Sequence, residues 1–389
     1  MRIRSIQAVP VRLPRDIARA RGTAGSPTSL VGDGAYRWST AYPVLYSENF
    51  ETALVRVELA NGLVGWGEAQ APLAPEVACT IVNLLLRPAL EGEEFDGTPE
   101  RIAALWERMY ATMRVRGQNG GFMLDAISGV DLALWDLKGK LLGQPVYSLI
   151  GGPAREAIEC YCTSDDLDWS MELGFRAFKI SNPVHYEEGT DGINRLEEKV
   201  AKARETVGPK ADLMLNPVMS YNVEFATRVM ERLKPYRLRW IEEPLVPNDM
   251  EGLSQLKRAV PTLPLATGED HHSRHEFREM VERRCVDVLQ PDLRWCGGLS
   301  EVLKIYTIGE AAGIATIPHS GAGMPFGQHF SIAMPECPIA EFWLGSDPGV
   351  PLAEANKFPG MPTPVNGRVT PSDAPGFGLE LKDDNILPW

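Results

Sequence analysis

Six short apolar runs between residues 213 and 341 each end in a polar residue, and no other feature constrains the fold as strongly. The polar residues follow at intervals of 26, 27, 23, 27 and 22 positions, in the order Asn216, Glu242, Glu269, Asp292, His319 and Glu341. Strands that alternate with helices at such a spacing predict βα units on a parallel sheet. Because a (β/α) barrel brings the carboxyl ends of its strands to one mouth, we expect these side chains to share a site.

Residues before and after this stretch complete the predicted architecture. From residue 157 onwards the sequence predicts eight strands, at 157–162, 177–180, 213–216, 240–242, 265–269, 286–289, 314–318 and 339–341. Upstream, a strand at 3–11, a hairpin turning at Asn61-Gly62 and three helical stretches predict a separate α+β domain. The predicted organisation is an α+β domain at 1–145, a barrel at 146–355 and a C-terminal segment at 356–389 that rejoins the first domain. Residues 15–49 are predicted to be a long functional loop.

Composition and charge limit the partners. The formal net charge of −13 argues against nucleic acid and anionic membrane surfaces as partners. The first 14 residues lack the apolar core of a signal peptide, and no apolar run is long enough to span a membrane. Six scattered cysteines form neither a zinc motif nor a redox motif. We therefore expect a cytoplasmic enzyme that acts on a small molecule.

The first three strand-end residues predict a metal site. Asn216, Glu242 and Glu269 would bring three oxygen donors from adjacent strands, which is the ligand chemistry that Mg²⁺ prefers. A single glutamate after a strand is more often a surface or helix-capping carboxylate. Three oxygen donors at barrel spacing favour a Mg²⁺ site.

The next two strand-end residues predict a general base. If Asp292 accepts a hydrogen bond from one imidazole nitrogen of His319, it fixes the tautomer and raises the basicity of the other nitrogen. Taken alone, His319 after Pro318 could equally be a buried structural histidine. The pair is well suited to removing the α-proton of a metal-bound carboxylate substrate.

Several segments resemble the enolase superfamily along nearly the whole chain. They are residues 127–136, 240–244 (Trp-Ile-Glu-Glu-Pro), 267–269 (Thr-Gly-Glu), 290–292 (Gln-Pro-Asp) and 318–319 (Pro-His). Within the mandelate racemase-like subgroup, residues 213–220, 295–299 (Trp-Cys-Gly-Gly-Leu), 364–368 and 375–378 are similar to the rhamnonate dehydratases. A histidine or lysine base working with Mg²⁺ is the established chemistry of that superfamily rather than a result of this sequence.

The resemblance implies a fold, a cofactor and a reaction. The fold is a (β/α)7β barrel under an α+β capping domain, and the cofactor is Mg²⁺. The reaction is removal of the α-proton of a sugar acid to give an enolate, followed by loss of the β-hydroxyl and formation of a 2-keto-3-deoxy acid. His319 would then donate its proton to the leaving hydroxyl, and Glu341 matches a position that hydrogen-bonds the substrate carboxylate. A homo-oligomer, either a dimer or an octamer, is also implied.

Departures from the family pattern leave two other functions open. Family members carry Asp where this chain has Asn216, so the site loses one negative charge, and a non-catalytic homologue with an impaired metal site is one alternative. The second is a racemase or epimerase of 2-hydroxy acids. Racemases place a second lysine two residues after the position of Lys179, and this chain has Ser181 there. Lys179 is predicted either to approach the substrate or to pair with the strand-end carboxylates.

The remaining predicted substrate contacts lie outside the strand ends. The rhamnonate enzymes have His directly after the third ligand, whereas this chain has Asp270 followed by His271 and His272. The loop at 15–49 contains no histidine, although these enzymes use one there. We therefore predict substrate contacts from Asp270 and His271, from Arg37 and Tyr46 in the loop, and from His185 after the second barrel strand.

Overall fold

A three-stranded antiparallel sheet forms the centre of the N-terminal domain. The structure is a computed structural model that describes residues 1–14, 30–32, 34–39, 44–355, 360–379 and 381. The central strand of the sheet pairs with the other two, and the sheet comprises β1 (Ile3–Pro14), β5 (Asn49–Leu59) and β6 (Val64–Ala69). The turn between β5 and β6 forms at Asn61-Gly62, where Asn61 accepts a hydrogen bond from the Leu63 amide and Gly62 has a φ of 85°. This hairpin was predicted.

The described part of the segment predicted to be one long loop contains three short strands. They form an antiparallel sheet of their own: β2 (Leu30–Val31), β3 (Tyr36–Ser39) and β4 (Leu45–Ser47). The prediction of a long loop therefore missed the regular structure in the described residues of this segment. Residues 15–29, 33 and 40–43 lie outside the described part of the chain.

Among the described residues, five helices complete the N-terminal domain, and α4 is the most deeply buried of them. They are α1 (Glu76–Ile81), α2 (Arg87–Leu90), α3 (Pro99–Arg114), α4 (Phe122–Leu142) and α5 (Val146–Leu149), with a π-helical turn at Val82–Leu86 between the first two. Thr98 caps α3 by accepting a hydrogen bond from the Arg101 amide. A Cβ atom at Gly67 would lie 2.0 Å from the Gly129 carbonyl oxygen, so only glycine allows α4 to pack this closely on β6.

Eight parallel strands curl into the barrel, and all eight were predicted within one or two residues. They are β7 (Ile158–Thr163), β8 (Ala177–Ser181), β9 (Asp212–Asn216), β10 (Ile241–Glu242), β11 (Leu265–Thr267), β12 (Val288–Leu289), β13 (Ala315–Thr316) and β14 (Ala340–Trp343). Neighbours in the sheet follow chain order from β7 to β13, and β14 pairs with β7. Side chains from all eight runs, including Tyr161, Met214 and Trp240, fill the barrel interior beneath the strand ends.

Seven helices connect these strands and give the (β/α)7β pattern. They are α6 (Leu167–Glu172), α7 (Gly189–Val207), α8 (Val223–Leu233), α9 (Met250–Ala259), α10 (Ser273–Arg283), α11 (Leu299–Ala311) and α12 (Pro325–Ala333). After the barrel, β15 (Arg368–Val369) pairs antiparallel with β7, and the Phe377 amide donates to Asp136 of α4. The described helices include none that is long and apolar enough to cross a membrane.

The capping domain contacts the barrel around the segment between β12 and α11. Trp106 of α3 donates to the Gly297 carbonyl at 2.7 Å, and Ser128 of α4 accepts from the Gly297 amide at 2.8 Å. Asp131, also in α4, accepts from the Ser300 amide and hydroxyl at 2.9 and 2.6 Å. These buried contacts hold the cap over the carboxyl ends of the strands, where the predicted functional residues lie.

Candidate functional site

A cavity of about 330 Å³ lies at the carboxyl ends of the barrel strands. The cap contributes Phe50 and Gln70 to its wall, and the C-terminal segment contributes Met361 and Thr363. The polar side chains from the strand ends include Thr163, Lys179, Asn216, Glu243, Glu269, Asp270, Arg294, His319 and Glu341. Barrel enzymes use this end of the fold for chemistry.

His319 and Asp292 form a buried hydrogen-bonded pair. Nδ1 of His319 lies 2.7 Å from Oδ2 of Asp292, which is 1% exposed. Arg294 donates from Nη2 to the same oxygen at 2.7 Å, and from Nε and the backbone amide to Oδ1. Burial alone would raise the pKa of Asp292, but the Arg294 charge and the His319 hydrogen bond hold it well below its usual range. Asp292 is therefore a fixed anion that orients the imidazole.

The other imidazole nitrogen of His319 is directed at two carboxylates. Nε2 lies 3.3 Å from Oε1 of Glu269 and 3.9 Å from Oε2 of Glu341. Burial lowers the pKa of His319, but the charge of Glu269 and the Asp292 hydrogen bond outweigh it and raise the pKa to about 9. The Trp295 indole stacks parallel to the ring, with centroids 5.9 Å apart. The imidazole is thus held on one face and at one nitrogen, while the second nitrogen lies at the cavity.

Lys179 joins two of the strand-end carboxylates. Its Nζ lies 2.7 Å from Oε1 of Glu341 and forms a hydrogen-bonded ion pair with Glu242. Glu341 also accepts from Thr163 at 2.5 Å and from the Ser320 amide at 3.0 Å. Burial lowers the pKa of Lys179, but the charges of both glutamates raise it well above its usual value, so the ammonium is retained. Lys179 therefore pairs with the carboxylates, which was one of the two predicted roles, and it also lines the cavity.

Glu242 uses both carboxylate oxygens for contacts within the protein. Oε1 accepts from Lys179 and from Nδ2 of Asn216 at 3.0 Å, and Oε2 accepts from Trp240 at 3.1 Å and from Gln290 at 2.7 Å. Oδ1 of Asn216 accepts from the Val218 amide at 2.7 Å. The described residues that line the cavity include Asn216 and Glu269 but not Glu242. Of the three predicted ligands, two therefore line the cavity, whereas Glu242 is turned to partners within the protein.

Three carboxylates at the cavity share an excess of negative charge. In the described part of the chain, no lysine or arginine forms an ion pair with Glu243, Glu269 or Asp270. Oε1 of Glu243 is buried without a hydrogen-bond partner. Burial raises the pKa of all three carboxyls, and for Glu243 the charges of Asp270 and Glu242 raise it further. A cation among these groups would relieve the repulsion.

The backbone is strained at the same strand ends. Val218, Met219, Glu243 and Ser320 all have a positive φ, between 45° and 58°. This region is unfavourable for residues with a Cβ, and for β-branched Val218 most of all. Such strain is concentrated at functional sites of proteins. Within the described residues, no three His, Cys, Asp or Glu side chains are grouped so as to hold a metal ion. The predicted ligand set is not such a group, because it combines two carboxylates with the amide of Asn216.

Four of the residues predicted to contact substrate make other contacts within the protein. The cavity-lining residues among those described do not include Arg37, Tyr46, His185 or His271. Arg37 is the register partner of Tyr46 in the small sheet and forms an ion pair with Glu48. His185 caps a short 3₁₀ turn, and buried His271 points its Nε2 at the Pro247 carbonyl, 2.9 Å away. Burial lowers the pKa of His271 to about 4. Asp270, in contrast, lines the cavity.

Several residues at the site were not predicted, and Thr163 is one of them. Arg294 and Trp295 contact the Asp292–His319 pair, Glu243 carries the unpartnered oxygen, and Gln70 brings the cap to the cavity wall. Glu243 follows Glu242 in a recognisable motif, so the position was visible although its orientation was not. Arg294 lies two residues after Asp292, and that short spacing was the only available signal.

Comparisons with known proteins identify the family. The family described as "Enolase C-terminal domain-like" matches residues 166–385, and the mandelate racemase / muconate lactonizing enzyme N-terminal domain matches residues 42–151. An L-rhamnonate dehydratase of Saccharopolyspora erythraea is 36% identical over 337 residues, covering 86% of this chain and 84% of that protein.

Two solved structures extend the likeness to metal-bound relatives. The rhamnonate dehydratase of Gibberella zeae complexed with Mg superposes with a TM-score of 0.83 at 30% identity, covering 99% of this chain and 95% of that one. A racemase from Streptomyces coelicolor with bound magnesium gives 0.80 at 25% identity, covering 99% and 98%. The chain therefore belongs to the mandelate racemase / muconate lactonizing enzyme family of the enolase superfamily.

Proposed function

We propose that this protein is a Mg²⁺-dependent acid-sugar dehydratase that converts an aldonate such as L-rhamnonate to its 2-keto-3-deoxy acid. One observation carries the proposal: Nδ1 of His319 is held by Asp292, while Nε2 lies at a cavity lined by carboxylates. That arrangement suits a base that removes a proton from a carbon atom. The 36% identity to an L-rhamnonate dehydratase supports the reaction class.

The residues of the cavity fit a divalent cation. The available donors are oxygens, which Mg²⁺ prefers, and the unpartnered oxygen of Glu243 lies among carboxylates that lack a lysine or arginine partner in the described chain. We propose Asn216, Glu242 and Glu269 as the ligands, with Glu243 and Asp270 beside them. Glu242 does not line the cavity and would have to exchange its contacts with Lys179 and Asn216 for the ion. When bound, Mg²⁺ would supply positive charge that lowers the pKa of the α-proton of the substrate.

His319 would remove the α-proton through Nε2. Asp292, held as an anion by Arg294, keeps a proton on Nδ1 of His319. Burial lowers the pKa of His319, but the Glu269 charge raises it to about 9. A bound cation would offset that charge, so Nε2 would lose its proton and present a lone pair to the substrate. The resulting imidazolium is stabilised by the same Asp292 carboxylate. It would then donate the proton to the departing β-hydroxyl, which leaves as water, and the enol product would tautomerise to the keto acid.

Lys179 would orient the substrate carboxylate, and Thr163 and Glu341 would hold the ammonium in place. All three line the cavity, and the Lys179–Glu341 and Thr163–Glu341 hydrogen bonds fix their positions. An ammonium at this position adds positive charge where negative charge develops on the enolate. These side chains lie on β7, β8 and β14, next to the strands that would hold the cation.

A panel of acid sugars tests the proposal. The wild-type protein with Mg²⁺ is expected to convert at least one aldonate, such as L-rhamnonate, L-lyxonate or L-mannonate, to a product that forms a semicarbazone. An absence of product across a broad panel, with Mg²⁺ binding demonstrated by calorimetry, would overturn it. Incorporation of solvent deuterium at the α-carbon without loss of water would instead favour a racemase or epimerase. Ser181 argues against that outcome because it replaces the second base and is bonded to Asp165 and Lys199.

A further inference from the structure

Two adjacent barrel residues each contact one member of the Asp292–His319 pair. Arg294 forms a two-pronged (bidentate) hydrogen-bonded contact with Asp292, in which Nη2 lies 2.7 Å from Oδ2 and Nε lies 3.1 Å from Oδ1. Trp295 stacks on His319 with an interplanar angle of 8°. Neither is one of the strand-end residues that would bind the substrate carboxylate or the cation. Their positions suggest that they hold the pair in place.

Two cap residues, in turn, contact these two barrel residues. Oε2 of Glu68 in β6 forms an ion pair with Nη1 of Arg294 at 3.5 Å, without a hydrogen bond. The backbone carbonyl oxygen of Gln70 accepts a hydrogen bond from Nε1 of Trp295 at 2.6 Å. Glu68 is itself held by Thr52 of β5, which donates to Oε1 at 2.8 Å. Two parallel chains of contacts therefore run from the end of β6 to the pair, one ending at Asp292 and the other at His319.

Burial makes the first of these chains rigid. Glu68, Arg294 and Asp292 are 4%, 6% and 1% exposed. A guanidinium that forms two parallel hydrogen bonds with a carboxylate fixes the plane of that carboxylate, which a single ammonium cannot do. Because Oδ2 of Asp292 accepts from both Arg294 and His319, the orientation of the carboxylate also sets the direction of the imidazole. Small errors in the direction of a catalytic base are costly in rate.

We propose that Glu68 and Gln70 of the cap, acting through Arg294 and Trp295, position His319 for proton abstraction. The base is therefore aligned only when the cap is docked. Arg294 and Trp295 are positioning residues, since they act through Asp292 and His319. The inference rests on the proposed function, because it takes His319 as the base.

The first experiment compares Arg294→Met and Glu68→Gln with Arg274→Met. Arg274 is a matched control because it also bridges the two domains, from Glu107 of α3 at 2.9 Å to Glu301 of α11 at 2.8 Å, without contacting the pair. We expect Arg294→Met to lower kcat roughly 100-fold with KM nearly unchanged. Glu68→Gln should lower kcat roughly tenfold, and Arg274→Met less than threefold. Equal losses in Arg294→Met and Arg274→Met would overturn the proposal, because loosening of the cap would explain both.

Conservative variants separate the geometry of these contacts from the charge and the size of the side chains. Arg294→Lys restores the charge but not the two-pronged contact, so we expect it to recover only a small part of kcat. Trp295→Phe keeps an aromatic ring against His319 but removes the hydrogen bond to Gln70, and it should lower kcat less than Trp295→Ala. Full recovery in Arg294→Lys would mean that charge alone matters, which contradicts the proposal.

A measurement without substrate distinguishes failure of this inference from failure of the proposed function. A His Nδ1 proton held by a buried carboxylate gives a low-field proton NMR signal, and we expect one that disappears in His319→Asn. It should shift or broaden in Arg294→Met and Glu68→Gln but remain in Arg274→Met. An unchanged signal in Arg294→Met and Glu68→Gln would overturn the positioning role. If the signal responds as expected but no acid sugar is converted, only the proposed reaction fails.

Discussion

The two sides of the cavity differ in how their charges are balanced. On the side of β12 and β13, Asp292 is matched by Arg294 and by His319, and Glu68 completes the set. On the side of β10 and β11, Glu243, Glu269 and Asp270 come together without a lysine or arginine partner in the described part of the chain. Both sides are buried and both carry carboxylates. Only on the β12–β13 side are the carboxylates paired with an arginine of the chain itself.

This difference separates a preorganised part of the site from one that requires a ligand. A buried carboxylate is stable when it is paired, and leaving one unpaired costs several kcal/mol. The β12–β13 side therefore needs nothing more to hold the base in its working geometry. The β10–β11 side stores electrostatic repulsion that a bound cation would release. The first side should thus tolerate removal of metal, whereas the second should respond to it.

The largest expected effect is on turnover, from His319→Asn. Loss of the base should lower kcat by roughly 10²–10⁴-fold, the usual contribution of general acid–base catalysis. Mg²⁺ binding should persist, because the carboxylates of the other side remain. His185→Asn is the matched control, since His185 caps a 3₁₀ turn away from the cavity and its loss should leave kcat within about twofold. Steady-state kinetics and calorimetry test both variants, and comparable losses of kcat would contradict the assignment of the base.

Parts of both sides could be predicted from the sequence because they depend on regular periodicity. Each barrel strand is an apolar run that ends in a polar residue, so the residues at the strand ends follow once the strands are located. Asn216, Glu269, His319 and Glu341 reach the cavity in this way. The fold and its strand order follow from the same pattern, because parallel strands joined by helices have few possible arrangements.

The remaining parts depend on local backbone geometry that the sequence pattern does not specify. Glu243 rather than Glu242 lines the cavity because its φ of 45° turns the chain at the end of β10. Arg294 and Trp295 lie in a turn without periodicity. Arg37 and Tyr46 were predicted as substrate contacts from the loop, and that role stays a prediction. They are register partners in a small sheet whose strands are too short to be recognised from propensity.

Removal of the metal should affect stability through the β10–β11 side. At a free Mg²⁺ concentration 100 times its Kd, binding should raise the free energy of unfolding by about 2.7 kcal/mol. Without metal, Glu269→Gln removes both the repulsion with Glu243 and Asp270 and the attraction to His319, so its Tm should stay close to that of the wild type. On addition of Mg²⁺, the Tm of Glu269→Gln should increase less than the Tm of the wild type. Calorimetry with EDTA and with Mg²⁺ tests this, and an equal gain for both proteins would show that Glu269 does not hold the ion.

A smaller effect is expected when the missing charge is restored. Asn216→Asp should tighten Mg²⁺ binding by roughly tenfold, or about 1.4 kcal/mol, because a carboxylate replaces a neutral amide oxygen. Asn222→Asp is the matched control, since it adds the same charge in the same βα unit at the N-cap of α8, outside the cavity. Titration calorimetry measures both variants. Tighter binding in Asn222→Asp as well would mean that general electrostatics, rather than ligation, is responsible.

The smallest effect on Mg²⁺ binding, no change at all, is expected from substitution of Asp131, which tests whether a raised carboxyl pKa by itself indicates a cation site. Asp131 is fully buried at the junction between cap and barrel, and burial, opposed by hydrogen bonds from Ser300, raises its pKa to about 7 from an ordinary value of 3.8. The folded state therefore binds this proton more tightly than the unfolded state does. The contribution of Asp131 to stability is fully present below pH 3.8 and is lost as the pH rises to 7, by at most about 1.4 kcal/mol per pH unit.

Asp131→Asn removes this titration while keeping the shape of the side chain. The stability of the variant relative to the wild type should therefore increase between pH 4 and pH 7 and stay level above that. Its response to Mg²⁺ should match that of the wild type, because Asp131 is satisfied by Ser300 rather than by a cation. Denaturant unfolding at several pH values, with and without Mg²⁺, tests both points. If Asp131→Asn also weakened the Mg²⁺ response, the charge imbalance at Glu243, Glu269 and Asp270 would no longer distinguish the metal side of the cavity from an ordinary buried carboxyl.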